Sequence, residues 1–206
     1  MEKTLKYQQI LVRDDLIPEY LQDYFELITL GINVKTDRSI VGEMFQTIEY
    51  NCKYEPTTIE NKNIRPPLSF VHVLKDSVRL STNFPNFSLI PLRACLALNI
   101  DLEDVLKARI MLTCPQDTKL KHGAPHTDLF IPHTVLIYYV NDSDGATVLF
   151  DDDKNIIQEV EPKRGRILLF NGSISHGGGI PKNNDRCLVN FDIKFSSRRN
   201  ANELTN

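Results

Sequence analysis

A mainly β chain of jelly-roll type, with helices ahead of the sheet, is predicted by three observations. Short runs rich in β-branched and aromatic residues recur at 108–114, 134–140, 146–152, 156–162, 166–172 and 187–195. Turn-forming clusters separate the later ones: NDSDG, DDDKN, PKRG and GGGIPKNND. That rhythm belongs to an antiparallel sandwich or jelly roll, in which each short strand reverses into the next. Residues 1–100 instead carry helical spacings, so helices are expected to pack on one sheet.

The elements follow in chain order. DDLIPEYLQDYFELITLG places Leu16, Tyr20, Tyr24, Leu27 and Leu30 at helical spacings, with Asp14 or Asp15 as the expected N-cap and Gly31 as the stop. RSIVGEMFQTIEYN predicts a second helix capped by Ser39, and the polar stretch Lys53–Pro67 reads as loop. LSFVHVLKDSVRLS alternates in places and predicts a hairpin around Lys75 and Asp76. PNFSLIPLRACLALNI predicts a helix from about Ser88, with Pro91 tolerated in the first turn. The six β-rich runs complete the core, and SSRRNANELTN reads as a solvated tail. No shift in composition is sharp enough to cut the chain. The expected organisation is one domain over 1–206: a helical and loop-rich part over 1–100, a β core over 101–195 and a tail over 196–206.

Bulk properties exclude several classes. Charged residues make up 25% and hydrophobic residues 41%, the balance of a globular protein. A net charge of −3 disfavours nucleic acid as a partner. The four cysteines, Cys52, Cys95, Cys114 and Cys187, form no CxxC pair and read as small buried hydrophobes. MEKTLKYQQILVRDD contains no apolar signal region, and no stretch approaches a membrane span. The expected setting is cytoplasmic, with the cysteines as thiols and no membrane partner.

Four residues carry the chemistry. His126 and Asp128 stand two apart in HTD, and extended residues at i and i+2 point the same way. His176 follows the run RILLFNGSIS and precedes three glycines, which let the chain turn tightly beside an ion. Two imidazoles and one carboxylate can bind one face of Fe(II) and leave the other positions open. Arg186, ten residues after His176, offers a rigid fork of donors to the far carboxylate of a dicarboxylate such as 2-oxoglutarate. Arg109 precedes the HTD loop on a strand candidate. His122, His133 and His72 read as turn or strand residues, and Asp151–Asp153 as a solvated turn.

The order of blocks over about 102–195 resembles the Fe(II)/2-oxoglutarate-dependent dioxygenase superfamily, most closely its prolyl 4-hydroxylase-like branch. LEDVLKARIMLT leads to PHTD, then come TVLIYYVND, DGATVLFDD, VEPKRGRILLFNG, SHGG with Arg186 beyond it, and a closing NFDI strand. The resemblance implies a double-stranded β-helix, a distorted jelly roll, with Fe(II) held by His126, Asp128 and His176. It implies that Arg186, and Tyr139 beside it, bind the C5 carboxylate of 2-oxoglutarate, and that Thr147 and Arg109 face the pocket. O2 would be the oxidant, ascorbate a support, and succinate and CO2 the co-products of hydroxylating a substrate C–H bond. Where the family block carries a second glycine this chain has Ala146, which leaves the local loop shape and substrate contacts open.

Substrate remains open at this stage: a peptidyl proline, a small metabolite, or a modified nucleobase undergoing oxidative demethylation. Other readings are a non-catalytic jelly-roll binding module and a Zn(II) site, the latter leaving Arg186 idle. The loop 115–125 has the length and polarity of a lid.

Overall fold

A computed structural model describes residues 10–31, 48–53 and 68–195 of the chain. Its helices are α1 (Glu19–Leu30), α2 (Phe84–Phe87) and α3 (Leu89–Ala97). Its strands are β1 (Leu11–Arg13), β2 (Asn51–Lys53), β3 (Ser69–Lys75), β4 (Leu102–Thr113), β5 (Thr134–Tyr139), β6 (Thr147–Phe150), β7 (Ile156–Val160), β8 (Ile167–Asn171), β9 (Ser175–Gly177) and β10 (Arg186–Phe195). They form a large antiparallel sheet ordered β1-β8-β5-β10-β4-β3-β2 and a small one ordered β7-β6-β9. Two facing antiparallel sheets with helices on the outer face of the larger one are the predicted jelly roll.

Alternation along β10 shows how the sequence builds these layers. Cys187, Val189, Phe191 and Ile193 point into a core shared with the helix residues Phe25, Ile28, Phe87, Ile90 and Ala94. Leu188 points the other way, into a core between the sheets with Ile137, Tyr139, Leu149, Leu168 and Phe170. A strand covered on both faces loses its polar alternation. This is why β5 and β8 read as near-continuous apolar runs. Phe25 anchors the outer layer, with its ring 5.5 Å from Phe87 and 5.6 Å from Tyr138. Each such fully buried side chain contributes about 1.5–3 kcal/mol from removal of apolar surface from water.

Several local expectations change. α1 begins at Glu19 behind Pro18, without a side-chain cap. Asp14 is drawn instead to Arg166 and Lys163, and Asp15 to Arg13. Arg166 holds the Asp14 carboxyl down at about 2. The buried positions of α1 are Phe25, Ile28 and Thr29, while Tyr20 is exposed, so the helix is rotated from the face its tyrosines suggested. Gly31 ends it as expected, in the left-handed region at φ 66°, with its N–H donating to the Leu27 carbonyl.

The second predicted helix lies mostly outside the described residues, and in its described part Asn51 opens β2 rather than continuing a helix. Residues 54–67 and the tail also lie outside them. The hairpin after β3 is reduced to one bridge, Lys75 with Leu80, closed by Asp76 accepting from the N–H groups of Val78 and Arg79. α3 starts one residue after Ser88 with Pro91 in its first turn. Residue pattern does not anticipate β1, β2, β9, α2 or residues 102–107 of β4. No helix among the described residues is long and apolar enough to cross a membrane.

Candidate metal and cosubstrate site

The inner faces of β4, β10 and β5 set the site out in rungs. Cross-strand register puts Thr113 beside Arg186, and Met111 beside Leu188 and Tyr139. The next two rungs are Arg109, Asn190 and Ile137, then Lys107, Asp192 and Val135. A guanidinium therefore sits at one end, an apolar rung follows, and polar and cationic groups lie beyond it. A cavity of about 190 Å³ opens over these rungs, lined among others by His126, Asp128, Thr147, His176 and Arg186.

Backbone pairing brings the two histidines together. The His126 N–H donates to the His176 carbonyl at 3.0 Å, and the reverse bond is 2.9 Å. Their rings lie 4.8 Å apart. One ligand atom from each of His126, Asp128 and His176 falls within 4.8 Å of the other two. Among the described residues no other group of three or more histidines, cysteines or carboxylates is so placed. His126 Nδ1 meets the Ala124 carbonyl at 3.0 Å, and His176 Nδ1 faces that of Ile174 at 3.4 Å. Donation from Nδ1 selects the tautomer whose Nε2 lone pair can coordinate an ion.

Asp128 is held from several sides. Its Oδ1 accepts from Arg109 Nη2 at 2.5 Å, its Oδ2 accepts from Asn190 Nδ2 at 2.8 Å, and His176 Nε2 lies 3.3 Å from Oδ2. Burial pushes its pKa up, but the nearby His176 ring, the charge of Arg109 and the Asn190 amide outweigh it. The carboxyl is held well below the usual carboxylate range. An ionised carboxylate fixed in orientation is what a cation needs.

Arg186 is 2% exposed. Its Nε donates to the Gly145 carbonyl and its Nη2 to Thr147 Oγ1, both at 2.7 Å. Among the described residues it has no carboxylate partner, and burial lowers its pKa. Thr147 Oγ1 also accepts from the Tyr139 hydroxyl at 2.7 Å. With both lone pairs taken, the threonine hydrogen is left to donate. Tyr139 thus reaches the arginine through Thr147 rather than lining the cavity, and burial raises its pKa.

Glycines keep this end open. A Cβ at Gly178 would stand 3.2 Å from Arg186 Nη1. At Gly179 it would stand 2.3 Å from the Ala146 carbonyl oxygen and 2.5 Å from the Gly145 carbonyl carbon. Main chain cannot swing aside as a side-chain tip can. Gly179→Ala is therefore expected to destabilise the fold by about 1–3 kcal/mol, read as a lower Tm in thermal unfolding. An unchanged Tm would count against this packing.

Residue pattern alone passed over Asn190, Lys107, Met111 and Leu188, all of which line the cavity. A signal was present: in RCLVNFDIKF the polar residues Asn190 and Asp192 fall on the same alternation as Arg186. His133 and His122 stay outside the cluster. His133 is buried with Nδ1 on the Ile131 carbonyl and Nε2 3.6 Å from Asp192. His122 bonds the Gly123 carbonyl and bridges Gly179. Loop 115–125 is tied to the glycine turn, since the Gly123 N–H donates to the Gly178 carbonyl and the Ile180 N–H to that of Lys121.

This fold is that of the 2-oxoglutarate- and Fe(II)-dependent oxygenases. Within them the chain is similar to a prolyl-4-hydroxylase of Pseudomonas putida, at TM-score 0.56 and 15% identity over 94% of this chain and 97% of that one. It is also similar to a prolyl hydroxylase of Trichoplax adhaerens in complex with a hypoxia inducible factor oxygen degradation domain peptide fragment, at TM-score 0.59 and 11% identity over 93% and 86% of the two chains. A third similar structure is HygX from Streptomyces hygroscopicus with nickel and 2-oxoglutarate bound, at TM-score 0.52 and 15% identity over 93% and 85%. No protein-family model matches the sequence, and no curated protein matches it.

Proposed function

We propose that this chain is an Fe(II)- and 2-oxoglutarate-dependent dioxygenase that hydroxylates a C–H bond of its substrate. One observation carries the reading. Two imidazoles and a carboxylate converge in a cavity whose far end holds a buried guanidinium with no carboxylate partner among the described residues. A desolvated cation of this kind is costly unless an anion joins it. A Zn(II) site alone would use the triad and leave that cost unanswered. The donor set fits Fe(II), and Arg186 with the Thr147 hydroxyl fits a carboxylate.

His126, Asp128 and His176 would hold the metal, with Arg109 and Asn190 orienting the carboxylate. Arg186 and Thr147, the latter braced by Tyr139, would take the C5 carboxylate of 2-oxoglutarate. Met111 and Leu188 would line its methylenes and keep water from them. When bound, Fe(II) with 2-oxoglutarate and O2 supplies an oxidative decarboxylation, giving succinate and CO2, whose oxidising power is spent on substrate. The remaining work of the protein is positioning: the cosubstrate is fixed at its far end, so the substrate must approach from the side of Arg109 and Lys107. Two of the similar structures are prolyl hydroxylases, and prolyl hydroxylation is one candidate here.

The test is turnover without added substrate. Protein supplied with Fe(II), ascorbate and 2-oxoglutarate in air is expected to form succinate slowly, measured by chromatography or NMR. If neither succinate formation nor 2-oxoglutarate binding is detected, the reading fails.

A further inference from the structure

The segment that carries Asp128 has little main chain to hold it. It runs from His126, which pairs with His176, to Thr134, which opens β5. Among the described residues, no main-chain group of 127–132 bonds to another main-chain group. Its fixed points are side chains. One is Asp128 itself, bonded to Arg109 and Asn190. The other is His133, whose Nδ1 donates to the Ile131 carbonyl at 2.7 Å. Between them Phe130 is fully exposed and Ile131 half exposed, so no apolar packing among the described residues fastens the tip.

The His133 ring sits in a slot shaped for it. A Cβ on Gly172 would stand 2.2 Å from its Nε2. Gly172 is not in the left-handed region, so its conformation does not call for glycine and the ring does. The Gly172 N–H donates to the His133 carbonyl at 3.0 Å. A carbonyl only accepts, so the His133 Nδ1 on Ile131 carries a hydrogen and Nε2 is left for the opposite side. There Asp192 Oδ1 lies 3.6 Å away, both side chains being 1% exposed. Neither atom has a hydrogen-bond partner among the described residues. Burial, and after it the charge of Asp128, push the Asp192 carboxyl up, against Arg109, His133 and Lys107. One proton shared between Nε2 and Oδ1 satisfies both, whether it rides on the carboxyl or on the ring. Asp192 stands two residues from Asn190 on β10. One strand therefore meets the Asp128 segment twice, through Asn190 and through Asp192 with His133.

We infer that His133 is a positioning residue for the metal: held by Asp192 in the Gly172 slot, it fixes the turn 128–133 and so aims the Asp128 carboxylate at the two imidazoles. This goes beyond the oxygenase reading above and rests on its metal site. Neither His133 nor Asp192 lines the cavity, so their effect passes through Asp128.

The full chain is titrated with Co(II), read by its visible absorption bands, with thermal unfolding recorded in parallel. His133→Phe fills the slot but makes neither bond. Asp192→Leu and Asp192→Asn both remove the carboxyl's charge, and only asparagine can still bond to Nε2. His133→Phe and Asp192→Leu are expected to shift the bands and to weaken Co(II) binding about tenfold or more, as when an outer partner of a ligand is lost. Asp192→Asn should stay within about threefold of the unaltered chain. Phe25→Leu, in the core on the outer face of the large sheet, should lower Tm and leave Co(II) affinity and bands as they were. Unchanged affinity and bands in His133→Phe or Asp192→Leu, a loss in Asp192→Asn as large as in Asp192→Leu, or the same loss in Phe25→Leu overturns the inference and leaves the oxygenase reading in place. If His133→Phe does not fold, the two Asp192 variants decide. Failure of the unaltered chain to bind Co(II) overturns both.

Discussion

Replacing His176 by alanine is expected to abolish succinate formation and weaken metal binding by more than about 100-fold, since loss of an outer-shell partner alone costs about 10–100-fold. On the proposed reading the imidazole is one of three donors, and among the described residues the cavity lining holds no further histidine, cysteine or carboxylate to take its place. The fold should survive. The link between His176 and His126 is made by main-chain groups, which alanine retains, and Asp128 keeps Arg109 and Asn190. Titration of the purified variant with Fe(II) or Co(II), alongside thermal unfolding, separates these effects. Metal bound as tightly as in the unaltered chain would show that the three residues do not form the site.

Arg186→Met should separate function from stability in the opposite direction to most buried substitutions. On the proposed reading the guanidinium would give charge-assisted hydrogen bonds to a ligand carboxylate in a site of low dielectric. Truncating one side of such a pair costs about 2–5 kcal/mol, so the Kd for 2-oxoglutarate should rise at least about thirtyfold. Without the ligand, Arg186 carries a desolvation cost that, among the described residues, the Gly145 carbonyl and the Thr147 hydroxyl offset by hydrogen bonds. Methionine of similar reach removes the charge, and apolar replacements of buried ions are often neutral or stabilising. Tm in the absence of 2-oxoglutarate is therefore expected to hold or rise. Arg186→Lys keeps the charge but loses the fork and should fall between the two in affinity. Unchanged affinity in Arg186→Met would remove the arginine from the cosubstrate site.

Much of the architecture was legible because it depends on local pattern. Short runs rich in β-branched and aromatic residues, bounded by turn residues, marked six of the strands, and the turn glycine after α1 marked its end. What failed was equally physical. Asp14 and Asp15 looked like helix caps, yet Arg166 and Arg13 offered charge pairing that a helix N-terminus could not match. The tyrosines of α1 suggested a buried face that Phe25 and Ile28 took instead, because a ring sealed between Phe87 and Tyr138 removes more apolar surface from water. β1 is three residues long, too short to show a period, and exists because the edge of β8 is there to pair with it.

By itself the sequence determined which residue types could bind a cation and a dicarboxylate, and which segments alternate as strands. Both are properties of a few consecutive side chains. Only the tertiary structure decided that positions 126 and 176 pair backbone to backbone. It alone put Arg109 and Asn190 on either oxygen of Asp128, tied Tyr139 to Arg186 through Thr147, and left Lys107 in the same cavity. Those neighbours come from the register of β4, β10 and β5, fixed by the burial of two apolar layers over the whole sheet, and no short stretch of residues encodes that register.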